Sequence, residues 1–299
     1  KIPPFRPIIS GCGSNTENIS KFVDHHAKDL VTELPSYIED TPHLLRCFAD
    51  LQQQYDYIPD EIIPVSLDVV GLYTNIPSAD GVSSFKAALD RRADQSVSSH
   101  FLLSLLSLVL DCNVFEFNGE LYIQRWGTAM GTRCAPTYSN LFMGGLEEFI
   151  FREGVSHTSH IFANFWKRFI DDIFFLWKGS RKQLDEFVSF LNSIHPTIKF
   201  SLSCDFTSRE ITFLDMVVTI KDGQIVTDLY RKPTAANQYL LPDSCHPPHV
   251  TKNIPFSLAY RLLRIVSQRT TLMKRLDELR DLLIQRHYRP RVIDDAFER

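Results

Sequence analysis

Two adjacent carboxylates, Asp171 and Asp172, sit in the run Arg168-Phe169-Ile170-Asp171-Asp172-Ile173-Phe174-Phe175, which is otherwise largely apolar, β-branched and aromatic. Such a run reads as a buried strand, where ionised aspartates are costly unless a cation or hydrogen-bond donors compensate them. Adjacent side chains of an extended strand point to opposite faces, so a tight turn is the way to bring both acids to one site. The expected geometry is a hairpin: Trp166 to Ile170 rises, the pair occupies the turn, and Ile173 to Trp177 returns. A lone Asp-Asp pair also suits an ordinary turn. With a third carboxylate it makes a magnesium-type site. Asp68 can supply it. It lies near the C-terminal end of the β-branched stretch Ile63 to Val70, ahead of a Gly71- and Pro77-bounded turn and an expected helix from Ser78 to Arg91. An acid at such a strand-to-helix connection projects into the crevice where sheet proteins bind ligands.

A second candidate ligand element is the loop Trp126-Gly127-Thr128-Ala129-Met130-Gly131-Thr132-Arg133-Cys134-Ala135-Pro136, followed by an expected helix from Thr137 to Phe151. Two glycines, a basic residue and a proline near a helix start describe a backbone able to approach a flat or phosphorylated ligand, or else a plain connector. The hairpin that leads into it turns at Asn118-Gly119, a type I′ signal.

The elements that must position these groups alternate between helix and strand. Helical patterns cover Asn18 to Leu34, Pro42 to Tyr55, Ser98 to Cys112 and Arg181 to Ile194, and a strand is expected over Ile198 to Ser203. Glu210 to Ile220 pairs with Gln224 to Arg231 across an Asp222-Gly223 turn, and helices close the chain at about Pro255 to Gln268 and Thr271 to His287. This order predicts an α+β fold, an antiparallel sheet covered by helices on one face.

Composition sets the outer bounds. With 299 residues, 44% of them hydrophobic, the chain can bury one large core or two to three subdomains. A net charge of −4 carries no overall basic signature. From Leu229 to Arg275, however, eight basic residues, among them Arg231, Lys232, Arg261 and Arg264, face one acid, Asp243, which suggests a phosphate-binding surface. The six cysteines are scattered without a Cys-x-x-Cys pair and no secretory signal opens the chain, so a reduced, intracellular protein is expected. Cys245-His246 with His249 lacks the second ligand pair of a zinc site, and the longest apolar run, Phe101 to Leu110, is too short to span a bilayer. No membrane association is expected. The start at Lys1, without Met, reads as that of a fragment or excised domain.

Taken together, the residues resemble a family. Asp68 within Ser-Leu-Asp-Val-Val-Gly-Leu-Tyr-Thr-Asn-Ile-Pro, the Gly131-Thr132-Arg133-Cys134-Ala135-Pro136 loop, and Phe169-Ile170-Asp171-Asp172 stand in the order and approximate spacing of reverse-transcriptase motifs A, B and C. Arg6-Pro7-Ile8-Ile9-Ser10 looks like the end of the fingers motif whose arginine meets the incoming triphosphate, and Thr212-Phe213-Leu214-Asp215 like the primer-grip hairpin. The Leu-Tyr-Thr-Asn-Ile-Pro tail, Tyr230-Arg231-Lys232-Pro233-Thr234 and Ser244-Cys245-His246-Pro247 resemble Penelope-like retroelements, whose polymerase is similar to telomerase reverse transcriptase. The chain departs from that pattern at Phe169, where many reverse transcriptases carry Tyr. It also looks truncated in the fingers and leaves no room after Asp295 for an endonuclease.

The resemblance implies a right-hand polymerase: partial fingers over 1–60, a ferredoxin-like palm over 61–228 with a helical insertion at about 78–112, and a basic helical thumb over 229–299. It implies an RNA-directed DNA polymerase using two magnesium ions, or manganese, held by Asp68, Asp171 and Asp172. Arg6, Tyr73, Gly131, Arg133, Pro136 and Lys199 would meet the deoxynucleoside triphosphate or the nascent pair, with Tyr73 stacking under the incoming sugar. Phe213, Leu214, Arg231, Lys232, Arg261 and Arg264 would hold the RNA template and DNA primer, and the location would be nuclear. Two alternatives keep the fold: a catalytically silent, domesticated copy that binds nucleic acid, and another nucleotidyl enzyme on the same palm, such as an RNA polymerase or cyclase.

Overall fold

The structure, a computed structural model, describes residues 8–299. Arg6 therefore lies outside the described residues. In chain order the elements are α1 (Glu17–Thr32), α2 (Thr41–Gln54), β1 (Ile62–Val69), α3 (Leu72–Asn75), α4 (Ser78–Arg91), α5 (Ser99–Asp111), β2 (Val114–Phe117), β3 (Glu120–Ile123), α6 (Ala135–Glu153), α7 (Val155–Thr158), β4 (Ile161–Phe169), β5 (Asp172–Lys178), α8 (Arg181–Ser193), β6 (Phe200–Cys204), β7 (Glu210–Phe213), β8 (Met216–Lys221), β9 (Gln224–Leu229), α9 (Pro248–Ile265), α10 (Arg269–Gln285) and α11 (Pro290–Phe297). The chain divides into two compact units, Lys1–Glu39 with Val65–Ser203, and Asp40–Pro64 with Cys204–Arg299.

The first unit is built on a four-stranded sheet of order β4-β5-β1-β6. Its strands form because their apolar residues are continuous rather than alternating: β1 is buried throughout except at Asp68, and Ile173 to Trp177 of β5 are all buried. Strands buried on both faces read this way. Helix α8 starts at a capping box, with Ser180 and Gln183 each satisfying the other's backbone N–H. It lays Phe187 flat on Trp177, ring centroids 5.5 Å apart, while Trp166 of β4 stacks on Phe175 at 5.1 Å. Each such buried aromatic contributes roughly 1.5–3 kcal/mol, so this cluster stiffens the two strands that carry the acid turn.

The second unit holds a three-stranded sheet, β7-β8-β9, and the helices α2 and α9 to α11. Here the structure corrects the sequence reading at three places. Glu210 to Ile220 is two strands, because Leu214 takes φ +53° and closes a hairpin in which Phe213 pairs with Met216. The hairpin falls on the Thr212-Phe213-Leu214-Asp215 stretch that resembles the primer grip, with Asp215 as its second loop residue. Helix α9 begins at Pro248, seven residues before the expected start at Pro255, which lies inside it and is buried. An internal proline withdraws the N–H that would pair with the carbonyl four residues back. That carbonyl, of Thr251, takes a hydrogen bond from the buried Tyr288 hydroxyl at 3.3 Å, and the same hydroxyl donates to Leu240 O at 2.9 Å. The third is α11, absent from the sequence reading although Pro290 stands at its first turn; Ile293 joins Ala259, Leu262, Val266, Leu279, Leu283 and Tyr288 in the core of the three helices.

Candidate active site

Asp171 and Asp172 sit at the β4–β5 turn as their sequence suggested: Phe169 pairs with Asp172, leaving Ile170 and Asp171 as the two loop residues. Ile170 adopts φ +56°, a conformation that a β-branched side chain adopts only under strain. Such backbone costs on the order of 1–3 kcal/mol and persists where its surroundings over-determine it. Strand β1 runs beside the turn, and Val69 N donates to Asp171 O at 3.1 Å. Asp68, the exposed position of that strand, thereby joins the same end of the sheet. The three carboxylates feel one another. Burial pushes the Asp172 carboxyl up to about 6, and the charges of Asp171 and Asp68 add to the rise.

An all-oxygen donor set suits Mg2+, and a cation would relieve the repulsion that raises Asp172. Among the described residues no group of three or more His, Cys, Asp or Glu side chains is gathered closely enough to hold a metal ion. Magnesium is ordinarily held by one or two carboxylates with substrate phosphates completing its shell, so an open carboxylate end fits a metal that arrives with its nucleotide.

Tyr73 lies against this end. Burial pushes its hydroxyl up to about 12, with the nearby charge of Asp171 contributing. Its carbonyl accepts from Thr128 N at 2.7 Å, so the glycine loop is fastened to the segment after β1. The glycines of that loop are explained by the chain's own backbone. A Cβ at Gly127 would stand 2.2 Å from Tyr73 O, and one at Gly131 would meet Ile9 O at 1.6 Å, where Ser10 and Gly131 form a parallel bridge. The groups that approach these two glycines are backbone carbonyls of the chain itself. Pro136 stands in the first turn of α6, and Arg133 is exposed, close enough to Glu17 to help hold that carboxyl below its usual range, after the larger effects of Lys21 and Gly13.

Lys199 is otherwise employed: its ammonium donates to Asn192 O at 2.5 Å and His195 O at 2.9 Å, at the C-terminal end of α8, where cations are favoured. Phe213 is 2% exposed and belongs to the core, a correction to its reading as a nucleic-acid contact; Leu214 occupies the adjoining turn. The basic segment is also less free than its composition implied. Arg261 pairs with Asp215 at 2.6 Å, Arg275 with Asp228 at 2.6 Å and Arg231 with Glu278 at 3.8 Å. All three acids lie just outside the 229–275 window. Among the described residues Lys232 and Arg264 have no carboxylate partner, and Arg264 lies over the Tyr260 ring at 5.6 Å.

A group that the sequence reading left unassigned stands directly behind the turn. Arg168 is fully buried, paired with Glu147 of α6 at 2.9 Å, and donates to Ile170 O at 3.1 Å. The signal was available in the sequence, since an arginine inside an apolar strand requires a buried acceptor.

Comparison with known proteins places the architecture. The family model described as "Animal helix-turn-helix domain" matches residues 238–298, the region of α9, α10 and α11. No curated protein matches the chain. Among solved structures, telomerase from Candida albicans in complex with a fragment of telomeric RNA is similar with TM-score 0.66 and 10% identity, covering 94% of this chain and 47% of its own. Apo telomerase from Candida tropicalis is similar with TM-score 0.58 and 11% identity, over 95% and 50%. The RNA-dependent RNA polymerase of a human picorbirnavirus is similar with TM-score 0.52 and 12% identity, over 90% and 49%. The chain spans about half the length of each. The fold is thus a mixed α and β, polymerase-like one.

Proposed function

We propose that the chain is the polymerase core of a Penelope-like retroelement reverse transcriptase, an RNA-directed DNA polymerase that extends a DNA primer on an RNA template. One observation carries the reading: Asp68 and the Asp171-Asp172 turn meet at one end of the sheet, on a fold that is similar to telomerase and to a viral RNA polymerase. In this reading 1–60 are partial fingers, 61–228 the palm and 229–299 the thumb.

Magnesium, when bound at these carboxylates, would supply Lewis-acid activation of a primer 3′-hydroxyl and charge neutralisation of the triphosphate. Asp68 and Asp171 would hold it, and Asp172 would be an auxiliary ligand. Tyr73 presents a rigid ring where a ribose 2′-hydroxyl would stand, so a deoxyribose packs against it and a ribose overlaps it. The loop from Gly127 to Pro136, fastened to Tyr73, supports the templating base pair, and Arg6 neutralises the triphosphate.

The test is magnesium-dependent primer extension on RNA and DNA templates with both nucleotide types. Extension with deoxynucleotides on RNA is expected, together with a loss of at least 100-fold, about 2.7 kcal/mol of transition-state stabilisation, in Asp171→Asn while duplex affinity holds or tightens. Wild-type extension by that variant would falsify the reading.

A further inference from the structure

The Asp171-Asp172 turn is held from behind by one buried polar network. The Arg168 guanidinium is 0% exposed and donates from Nε to Glu147 Oε1 at 2.9 Å, and from Nη2 to Glu147 Oε2 at 3.2 Å and Asn140 O at 3.3 Å. Its Nη1 reaches Asn140 Oδ1 at 2.6 Å and the carbonyl of Ile170 at 3.1 Å. Glu147 is saturated in turn, accepting from Trp166 Nε1 at 2.8 Å and from Ser36 Oγ at 2.6 Å. The backbone of Arg168 is bound on both sides, its N–H to Ser36 O and its carbonyl to Ile38 N. Asn140 donates in turn to Pro136 O at 3.0 Å, within the first turns of α6.

Two features of this network exceed what packing requires. A buried ion pair is a weak stabilising device, commonly replaceable by apolar side chains of similar size. And the guanidinium spends a donor on the carbonyl of Ile170, the residue whose positive φ sets the turn. A rigid planar fork is the group that can hold a helix carboxylate, a helix amide and a turn carbonyl at once. An ammonium cannot match that geometry.

We propose that Arg168, fixed by Glu147 and Asn140, is a positioning residue: by gripping the Ile170 carbonyl it holds the turn that presents Asp171 and Asp172, and it ties that turn to helix α6. Its catalytic consequence rests on the polymerase reading; its grip on the turn does not.

The experiment replaces both charges together, Arg168→Met with Glu147→Met, so that neither is left buried alone. In the folded double variant, amide exchange at Ile170, Asp171 and Asp172 should quicken at least tenfold while α8 keeps its protection, and Mn2+ should bind at least fivefold more weakly. Extension should lose at least tenfold in kcat with KM for deoxynucleotide within threefold and duplex affinity unchanged. Arg168→Lys, which keeps the charge but not the fork, should show the same pattern at smaller amplitude, and it decides the matter if the double variant does not fold. Wild-type exchange at the turn overturns the proposal, as does wild-type kcat beside a loosened turn. Should the wild-type chain extend no primer, the polymerase reading fails and the exchange measurement still judges the grip.

Discussion

Asp172 shows what a carboxylate end costs a protein that must keep it ready. Its neutral form is favoured by burial and by the charges of Asp171 and Asp68, so its carboxyl rises from 3.8 to about 6. Ionising it at neutral pH therefore works against the fold. The native state binds the proton more tightly than the unfolded chain, so the penalty is absent below about 3.8, grows as pH rises, and is complete above about 6. A two-unit shift corresponds to roughly 3 kcal/mol, but the side chain is only half buried and solvent screening reduces this to on the order of 1 kcal/mol. Asp172→Asn should accordingly raise the melting temperature in metal-free buffer at pH 7.5. The gain should shrink as pH falls toward 4, and shrink again when Mg2+ and a nucleotide are added to the wild type. A variant less stable than wild type at pH 7.5 would show that Asp172 contributes packing or hydrogen bonds that outweigh its repulsion.

At the scale of elements, legibility followed locality. The Asn118-Gly119 and Asp222-Gly223 turns and the helix read over Ser78 to Arg91 stand where the residues put them, because each signal lies within a few positions of its effect. The acid turn was legible for the same reason, and Asp68 because its strand is otherwise apolar. What the sequence hid depends on distant partners. Leu214 takes a positive φ that its side chain does not favour, with Asp215 beside it held by Thr41 at 2.5 Å and by Arg261. Arg168 needs Glu147, 21 positions away. Pro255 is tolerated inside α9 because Tyr288, 37 residues from Thr251, supplies the donor that the proline lacks. This last case makes a measurable statement. Tyr288→Phe keeps the ring and deletes the donor, leaving the carbonyls of Leu240 and Thr251 short of a partner, so the second unit should lose about 1–3 kcal/mol of stability. If Pro255→Ala in the same chain recovers part of that loss by restoring the helical N–H, the compensation is demonstrated; an unchanged melting curve for Tyr288→Phe would mean that water serves both carbonyls equally well.

For the molecule as a whole the question is how a chain of net charge −4 would approach a polyanion. Its overall field opposes the encounter, so affinity must come from cations not already neutralised by the protein. Composition counted eight basic residues between Leu229 and Arg275, but three of them, Arg231, Arg261 and Arg275, are spent on Glu278, Asp215 and Asp228. A paired arginine that moved to a phosphate would strand its acid, and the gain in counterion release would be offset. Lys232 and Arg264 have no such debt among the described residues, and the Arg264 guanidinium lies 5.6 Å from the centre of the Tyr260 ring. The two groups should therefore behave differently in salt. Each free cation that meets a phosphate contributes about 0.9 to the slope of log affinity against log salt concentration, so Lys232→Gln with Arg264→Gln should flatten that slope by about 1.8 for duplexes of any sequence. Arg261→Gln should leave the slope nearly unchanged and lower the melting temperature instead, because it frees Asp215 beside the β7–β8 turn. Duplex titrations between 50 and 200 mM salt, about the range over which such contacts express themselves, would decide it: a slope that responds to Arg261 and ignores Lys232 and Arg264 would show that the ion pairs open on binding and that the unpaired cations face solvent.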